Sequence, residues 1–443
     1  MLPASIPAPL LIACVALPLA ALAWITPLLL PMAVGGLLTA GGLALAYRHL
    51  NLVWSAWLLV TGLSLEMTFS DLIGPEAFQP VIAAVKGGEI VLIALTMARE
   101  GLAWDRFNPA FGFLAIAIMG AMAGIHPSLT AADMIRSTIG SATPFLVFFC
   151  VPPAGWGNAM RRAAGLVPLV SVVLGLGLEV AGLRPLFVDS GGARLAALGH
   201  PAFLAGVCLP AIYANLLAWL GTGSRKAALL LTVNLTILFL TGARAPTAYA
   251  ILVVAATLLL AKDAAIPRAR RTILAAAGAL SLPVLMVLGE TFSSLRLFTV
   301  LSSEAANLSG RELLWTAVEA AADQAPWFGW GLGAGNVVIP HDGPIAQLLR
   351  TWAAHNEYLR MRVEGGAIGL ATLIPLFIVW IVSHTRKLPP LERVTMRLIF
   401  LAFAAHAVTD NVLISTPACV FFAFAAAVFA EPRRRLRTDP GVA

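Results

Sequence analysis

The chain has 443 residues; 59% are hydrophobic, only 12% are charged, and the formal net charge is +7. Soluble domains carry about 25% charged residues, so a water-soluble fold is excluded, and apolar runs of about 20 residues read as bilayer-spanning helices. The positive balance is not a nucleic-acid footprint, because the basic residues sit in short clusters between apolar runs, as they do when they orient a membrane protein; no nucleic-acid partner is expected.

In chain order, fourteen apolar runs read as spans: 8–24, 28–46, 51–69, 80–98, 109–124, 137–151, 163–182, 200–220, 227–240, 244–261, 271–289, 366–383, 395–411 and 414–430. If the shortest are re-entrant the count is twelve. The expectation is an all-α polytopic membrane bundle of 12–14 spans. The first run has no Lys or Arg before it and no cleavage site, so it reads as a retained helix. Cys14, Cys150, Cys208 and Cys419 lie in apolar runs, without disulfide or zinc spacing. In the fourth run Lys86 and Glu89 stand at i, i+3 and can neutralise each other, as a structural tie or as part of an ion pathway.

Placing the C-terminal "EPRRRLRTDP" in the cytoplasm and counting back puts Arg161 and Arg162, Arg225 and Lys226, and Arg268, Arg270 and Arg271 on the same side. That alternation sets both termini in the cytoplasm and the longest polar segment, about 290–355, outside it. The expected organisation is a membrane bundle over 1–289, an outer loop over 290–365, further spans over 366–430 and a basic cytoplasmic tail over 431–443. Within the loop, Ser309 and Glu312 have capping-box spacing, so a helix should run from about Gly310 until Pro326 stops it. Leu314, Trp315, Val318 and Ala322 share one face. That face suits a membrane surface, with Trp315 at the interface, or simple packing.

The stretch "AHNEYLRMRVEGG", from Ala354, concentrates charge just before the next span. His355, Leu359 and Arg362 follow i, i+4, i+7 and are expected on one helical face, with Gly365–Gly366 loosening the turn. His355 and Asn356 also suit a helix start, and arginines snorkel to headgroups. Three further arginines break the positive-inside trend on the outer face: Arg194 before "ALGHPAFLAG", Arg244 in "TGARAPTAYA", and Arg311 at the head of the outer helix. Guanidinium forks bind phosphate oxygens; Glu304, Glu364 and Asp410 are the acids available to pair with them. Asp410 and His406 form H-x-x-x-D and should share a face. "GWGLGAGN" lacks the Lys-Ser/Thr of a phosphate loop and reads as a flexible turn. No D-x-D and no His/Cys pair at ligand spacing occurs, so the reading includes no metal.

The run "GRELLWTAVEAAADQAPWFGWGLGAGN", followed after a spacer by "HNEYLRMRVEGGAIGL", resembles the signature of the O-antigen ligase and polymerase family. "LGHPAFLAG" and "TGARAPTAY" resemble its upstream blocks, and the resemblance spans about residues 194–370. It departs from the family at Ala243-Arg244-Ala245-Pro246, where Ser-Arg-Gly is usual. His200 is not read as catalytic. The resemblance implies a GT-C-like fold in the bacterial inner membrane, with one large periplasmic loop bearing the active site. It implies a glycosyltransferase that moves a glycan from undecaprenyl diphosphate to a hydroxyl, without cofactor or metal. The acceptor would be lipid A–core in a ligase of lipopolysaccharide biosynthesis, or another lipid-linked glycan in a polymerase. It implies that Arg244, Arg311 and His355 are functional, with His355 as base and the arginines, Arg194 included, on the diphosphate; Asn356, Asp410, Arg362 and Trp315 would support them. A single displacement would invert the anomeric centre. The rival readings are a transporter or flippase, against which no internal repeat between halves is seen, and a structural scaffold.

Overall fold

The computed structural model describes residues 41–189, 192–288, 311–349, 351–414 and 416–438, with the side chains of 75, 281–288 and 431–438 not included. The first span, Cys14, Glu304 and Ser309 lie outside the described residues, as do most of the second span and the loop up to 310. Every predicted run from residue 51 onward overlaps helix among the described residues.

The helices are α1 (Leu50–Gly62), α2 (Leu65–Leu72), α3 (Phe78–Glu100), α4 (Pro109–Ala123), α5 (Ala131–Leu146) and α6 (Trp156–Val180). They continue as α7 (Pro201–Thr222), α8 (Arg225–Leu240), α9 (Arg244–Leu260), α10 (Arg268–Leu288) and α11 (Arg311–Gln324). The last four are α12 (Pro344–Leu349), α13 (Glu357–Thr385), α14 (Pro390–His406) and α15 (Thr416–Thr438). Among the described residues, four helices are long and apolar enough to cross a membrane, or five if the bent pair α1–α2 counts as one span; α4, α9 and the Thr416–Ala430 part of α15 are shorter apolar helices. This is an all-α polytopic membrane protein. Large apolar side chains such as Leu252 and Leu401 stand 62% and 69% exposed on helix surfaces, as suits helices that face lipid.

The bundle is built around α7 and α15. α15 packs on α1, α6 and α7, and α7 also packs on α8. The α15 sequence "ACVFFAFAAAVFA" is buried throughout, because alanines let neighbouring backbones approach while phenylalanines fill the gaps between them. Trp380 of α13 is fully buried in an aromatic cluster with Phe145, Phe148, Phe400, Phe422 and Phe429. Its indole N–H donates to Asp105 at 2.9 Å.

Several expectations change. The run at 51–69 is two helices bent by 52°, because Ser64 takes a left-handed conformation and breaks the hydrogen-bond ladder. α5 begins at Ala131, before the apolar run, since Thr130 caps it by accepting the Asp133 N–H at 3.1 Å. Glu89 is buried against Cys419 instead of forming a contact ion pair with Lys86; among the described residues Lys86 makes no ion pair. A two-stranded hairpin, β1 (Phe187–Asp189) with β2 (Ala193–Leu195), stands between α6 and α7, pairing Val188 with Arg194.

Residues 311–363 form a second apolar core, distinct from the bundle. Leu314, Val318 and Ala322 of α11 are fully buried there with Ala334, Ile339, Ala354, Val363 and Leu129. The i, i+4, i+8 stripe read from the sequence is therefore a packing face, worth roughly 1.5–3 kcal/mol for each large side chain.

This lobe is spliced to the bundle at Gly366. In α13, Gly366 has φ 62°, which interrupts the helical ladder. The freed N–H groups of Ala367 and Ile368 donate to the carbonyls of Pro326 and Trp327 at 2.8 and 3.1 Å. The freed carbonyls of Val363 and Glu364 accept from Trp330 and Gly331 at 2.8 and 3.0 Å. The glycine-rich turn thus completes the broken helix, as buried backbone polar groups require. A Cβ at Gly366 would run into the Trp327 carbonyl group, and one at Gly329 would lie 2.5 Å from the Glu364 carbonyl carbon.

Gly366→Ala should therefore lower stability by at least about 1–3 kcal/mol, from a disfavoured backbone alone. Gly177→Ala in α6, where a Cβ meets nothing within 4 Å, should leave stability unchanged or raise it by up to about 1 kcal/mol. Thermal unfolding of the two purified variants in detergent checks the contrast.

Candidate functional site

α14 ends at His406, and the chain turns through Ala407–Asn411 before α15. Side chains from three distant parts of the sequence meet at this turn. Asp410 Oδ1 lies 3.2 Å from His355 Nδ1 and accepts the Asn411 N–H at 2.9 Å. Its Oδ2 lies 3.8 Å from His406 Nε2. Arg311, at the head of α11, donates to the Thr409 carbonyl at 2.5 Å. His355, Asp410, His406 and Arg311 thus converge on one turn, as a guanidinium, two imidazoles and a carboxylate.

His355 is not on the α13 face. Asn356 is the N-cap of α13, its Oδ1 accepting the N–H groups of Tyr358 and Leu359 at 3.1 Å each. His355 precedes the cap with φ 48°, a left-handed conformation that turns its ring away from the helix. This strained residue is held on three sides. Trp315 of α11 donates from its indole N–H to the Ala354 carbonyl at 2.8 Å, so Trp315 braces the turn. The Glu357 N–H donates to the Ala407 carbonyl at 2.7 Å, joining the His355 turn to the Asp410 turn. His355 Nε2 is 3.2 Å from the Thr351 hydroxyl.

Asp410 lies past the end of α14, so it meets His406 across a turn rather than along a helical face. Burial raises its carboxyl pKa, but the hydrogen bond and charge of His355, the charge of His406 and the Asn411 N–H together hold it below the usual carboxylate range. Asp410 is therefore an anion at neutral pH. Its contact with Nδ1 favours the tautomer in which that nitrogen carries the proton and Nε2 is the acceptor.

The arginines divide. Arg311 is in the cluster. Arg244 opens α9, is exposed, and has no hydrogen bond or ion pair among the described residues. Tyr249, about a turn and a half further along α9, packs on the His406 ring at 5.6 Å between centroids, so the start of α9, which bears Arg244, lies at the same end of the bundle as His406. Arg194 is carried by β2 to the α8–α9 turn, where its Nε donates to the Thr241 carbonyl at 2.8 Å, three residues before Arg244. Arg362, expected beside His355, instead pairs with Asp323 of α11 at 2.7 Å on the exposed surface. Glu364, expected to face the outer arginines, pairs with Arg360.

Sequence reading missed the buried triad Glu357–Arg360–Glu364. Arg360 contacts Glu357 from Nε at 2.7 Å and also through its NH2 group, and it contacts Glu364 at 2.8 Å; all three side chains are buried. Glu364 Oε1 also accepts the Gly335 N–H at 3.3 Å, fastening the glycine-rich turn. The signal was present: E-x-x-R-x-x-x-E places both carboxylates within one or two turns of the arginine. Thr351 was also missed, for no local pattern marks it.

Removing Arg360 leaves two buried carboxylates uncompensated. Arg360→Met should cost about 3–5 kcal/mol, while Arg362→Met, in an exposed pair, should cost about 0–1 kcal/mol. Thermal unfolding followed by tryptophan fluorescence separates the two.

Compared with known proteins, residues 227–374 match the family model described as O-antigen ligase. The match begins in α8, runs through Arg244, the outer lobe and His355, and ends in the membrane part of α13. No individual curated protein matches the chain.

Proposed function

We propose that this chain, which belongs to the O-antigen ligase family through residues 227–374, is a glycosyltransferase that moves a glycan from undecaprenyl diphosphate to a hydroxyl of lipid A–core. The membrane glycosyltransferase class follows from that family and from the helical bundle. Donor, acceptor, inversion, a metal-independent mechanism and an inner-membrane site facing the periplasm are our reading. The observation that carries it is the Asp410–His355 pair, set beside Arg311 with Arg244 at the same end of the bundle.

In this reading Asp410 holds Nδ1–H, so Nε2 takes the proton of the acceptor hydroxyl as its oxygen attacks the anomeric carbon. The bond from that carbon to the diphosphate oxygen breaks, and its electron pair leaves with the diphosphate. Arg244 has no competing partner among the described residues and is the natural clamp for that anion; Arg311 adds charge beside the base. Arg194 acts through the turn it braces, placing Arg244. General-base help contributes roughly 10²–10⁴ in rate, and charge stabilisation of the leaving group supplies much of the remainder. The basic clusters at the starts of α8, α10 and α14, opposite to this mouth, support a cytoplasmic side there.

His355→Ala should abolish transfer while the protein still accumulates in the membrane, measured with purified enzyme, lipid-linked glycan and lipid A–core. Product formed without the second acceptor would identify a polymerase instead. Arg244→Lys should reduce transfer by an order of magnitude or more, because the guanidinium fork is lost; wild-type rates would remove the clamp.

The His355 and His406 rings and the Asn411 N–H hold the Asp410 carboxyl below the usual range, so it stays ionised through the neutral range. Asp410→Asn removes the anion that orients the His355 ring, and the maximal rate should fall by about 10²–10⁴. A wild-type maximal rate in Asp410→Asn would exclude the pairing.

A further inference from the structure

Thr351 is the hydroxyl on the base nitrogen of His355, and nothing in the family match or the mechanism above uses it. Its Oγ1 lies 3.2 Å from Nε2 and accepts the Ala353 N–H at 3.3 Å. Nδ1 on the other side of the ring is engaged by Asp410 at 3.2 Å. With Nδ1 protonated, Nε2 presents one lone pair, and the Ala353 N–H occupies a lone pair of Oγ1. The Thr351 proton is therefore the one directed at Nε2.

An acceptor alcohol must put its own O–H on that same lone pair, at about 2.6–3.2 Å, to be deprotonated. One lone pair does not serve two hydroxyls in this geometry. We propose that Thr351 is an acceptor-mimicking plug: it fills the acceptor's seat on His355 while the site is empty of acceptor, and the incoming hydroxyl displaces it. The inference rests on the reading of His355 as general base. A transferase that works beside water has to keep water from that seat while the donor is bound. Thr351 does so with a hydroxyl that satisfies the imidazole, and it is half-buried beside the ring. A rotation about its side-chain torsion clears the seat.

Removing the hydroxyl opens the seat to water. The water oxygen then bonds to the anomeric carbon, and the carbon–oxygen bond to the diphosphate breaks with its electron pair going to the diphosphate. The water proton passes to His355 Nε2, releasing free glycan and the lipid diphosphate.

The test uses the full-length protein in detergent with undecaprenyl diphosphate-linked glycan, with and without lipid A–core, measuring free glycan and transferred glycan separately. For Thr351→Ala the ratio of free to transferred glycan should rise at least about tenfold over wild type, within the range that base catalysis allows. Thr351→Ser, which keeps the hydroxyl, should stay near the wild-type ratio. An unchanged ratio in Thr351→Ala overturns the proposal. So does loss of both free and transferred glycan in Thr351→Ala with rescue by Thr351→Ser, because that makes the hydroxyl a reacting group. The connectivity Asp410–His355–Thr351 also suits a nucleophilic hydroxyl, and product with retained anomeric configuration would establish that role in place of the plug. If wild type transfers nothing, the proposed function fails and the plug with it; if wild type transfers normally and only the ratio fails to move, the plug alone is lost.

Discussion

The interruption of α13 at Gly366 is the constraint on which the outer part of the molecule depends. A helix entering a membrane satisfies its own backbone, and breaking it there exposes donors and acceptors that lipid does not satisfy. Here the exposed groups are filled by the backbone of residues 326–331, which lies against α13 in register on both sides of the break. At φ 62° and ψ −163° the backbone of residue 366 is in a region essentially confined to glycine, and a Cβ there would meet the Trp327 carbonyl. The result is a rigid joint between the lobe made by residues 311–363 and the bundle, where a simple surface loop would leave the lobe free to move.

Given that joint, the position of His355 follows. The lobe's helix α11 is fixed against α13, so Arg311 and Trp315 arrive at defined places: one on the Thr409 carbonyl, the other on the Ala354 carbonyl. The Glu357–Arg360–Glu364 triad stiffens the first turns of α13 and fastens the glycine-rich turn to them. Buried ion pairs are poor contributors to net stability, but this one fixes a single arrangement of the start of α13, next to His355. The left-handed conformation of His355 persists because the bonds around it over-determine it, as strained residues at functional sites require.

The bundle supplies the other half of the mouth by a different principle. α7 and α15 form its interior with small residues and aromatics, and the short connections α8–α9 and α14–α15 bring Arg244 and Asp410 to one end. The β1–β2 hairpin reaches across to the α8–α9 turn and makes Arg194 a brace. Among the described residues Arg194, Arg311, Arg360 and Arg362 therefore have structural partners, and Arg244 has no hydrogen bond or ion pair.

How much the amino-acid sequence determined by itself follows from the range of the forces involved. Apolar run length and charge alternation are local, so the long apolar helices after residue 50, the helix at 311–324 and its buried stripe were legible, whereas the short α12 was not; motif spacing singled out His355, Arg244 and Arg311. Capping and backbone conformation are less legible: Asn356 takes the cap, which moves His355 off the helical face that its spacing suggested, and Ser64 bends a run that reads as continuous. Pairing was decided only in three dimensions. Arg362 and Arg360 are two residues apart and chemically alike, yet one faces Asp323 in solvent and the other is buried between two glutamates. Thr351 reaches His355 Nε2, and Asp410 reaches Nδ1 from 55 residues away, because packing of α11, α13 and α14 closes those distances, and no periodicity in a one-dimensional pattern encodes a distance between helices.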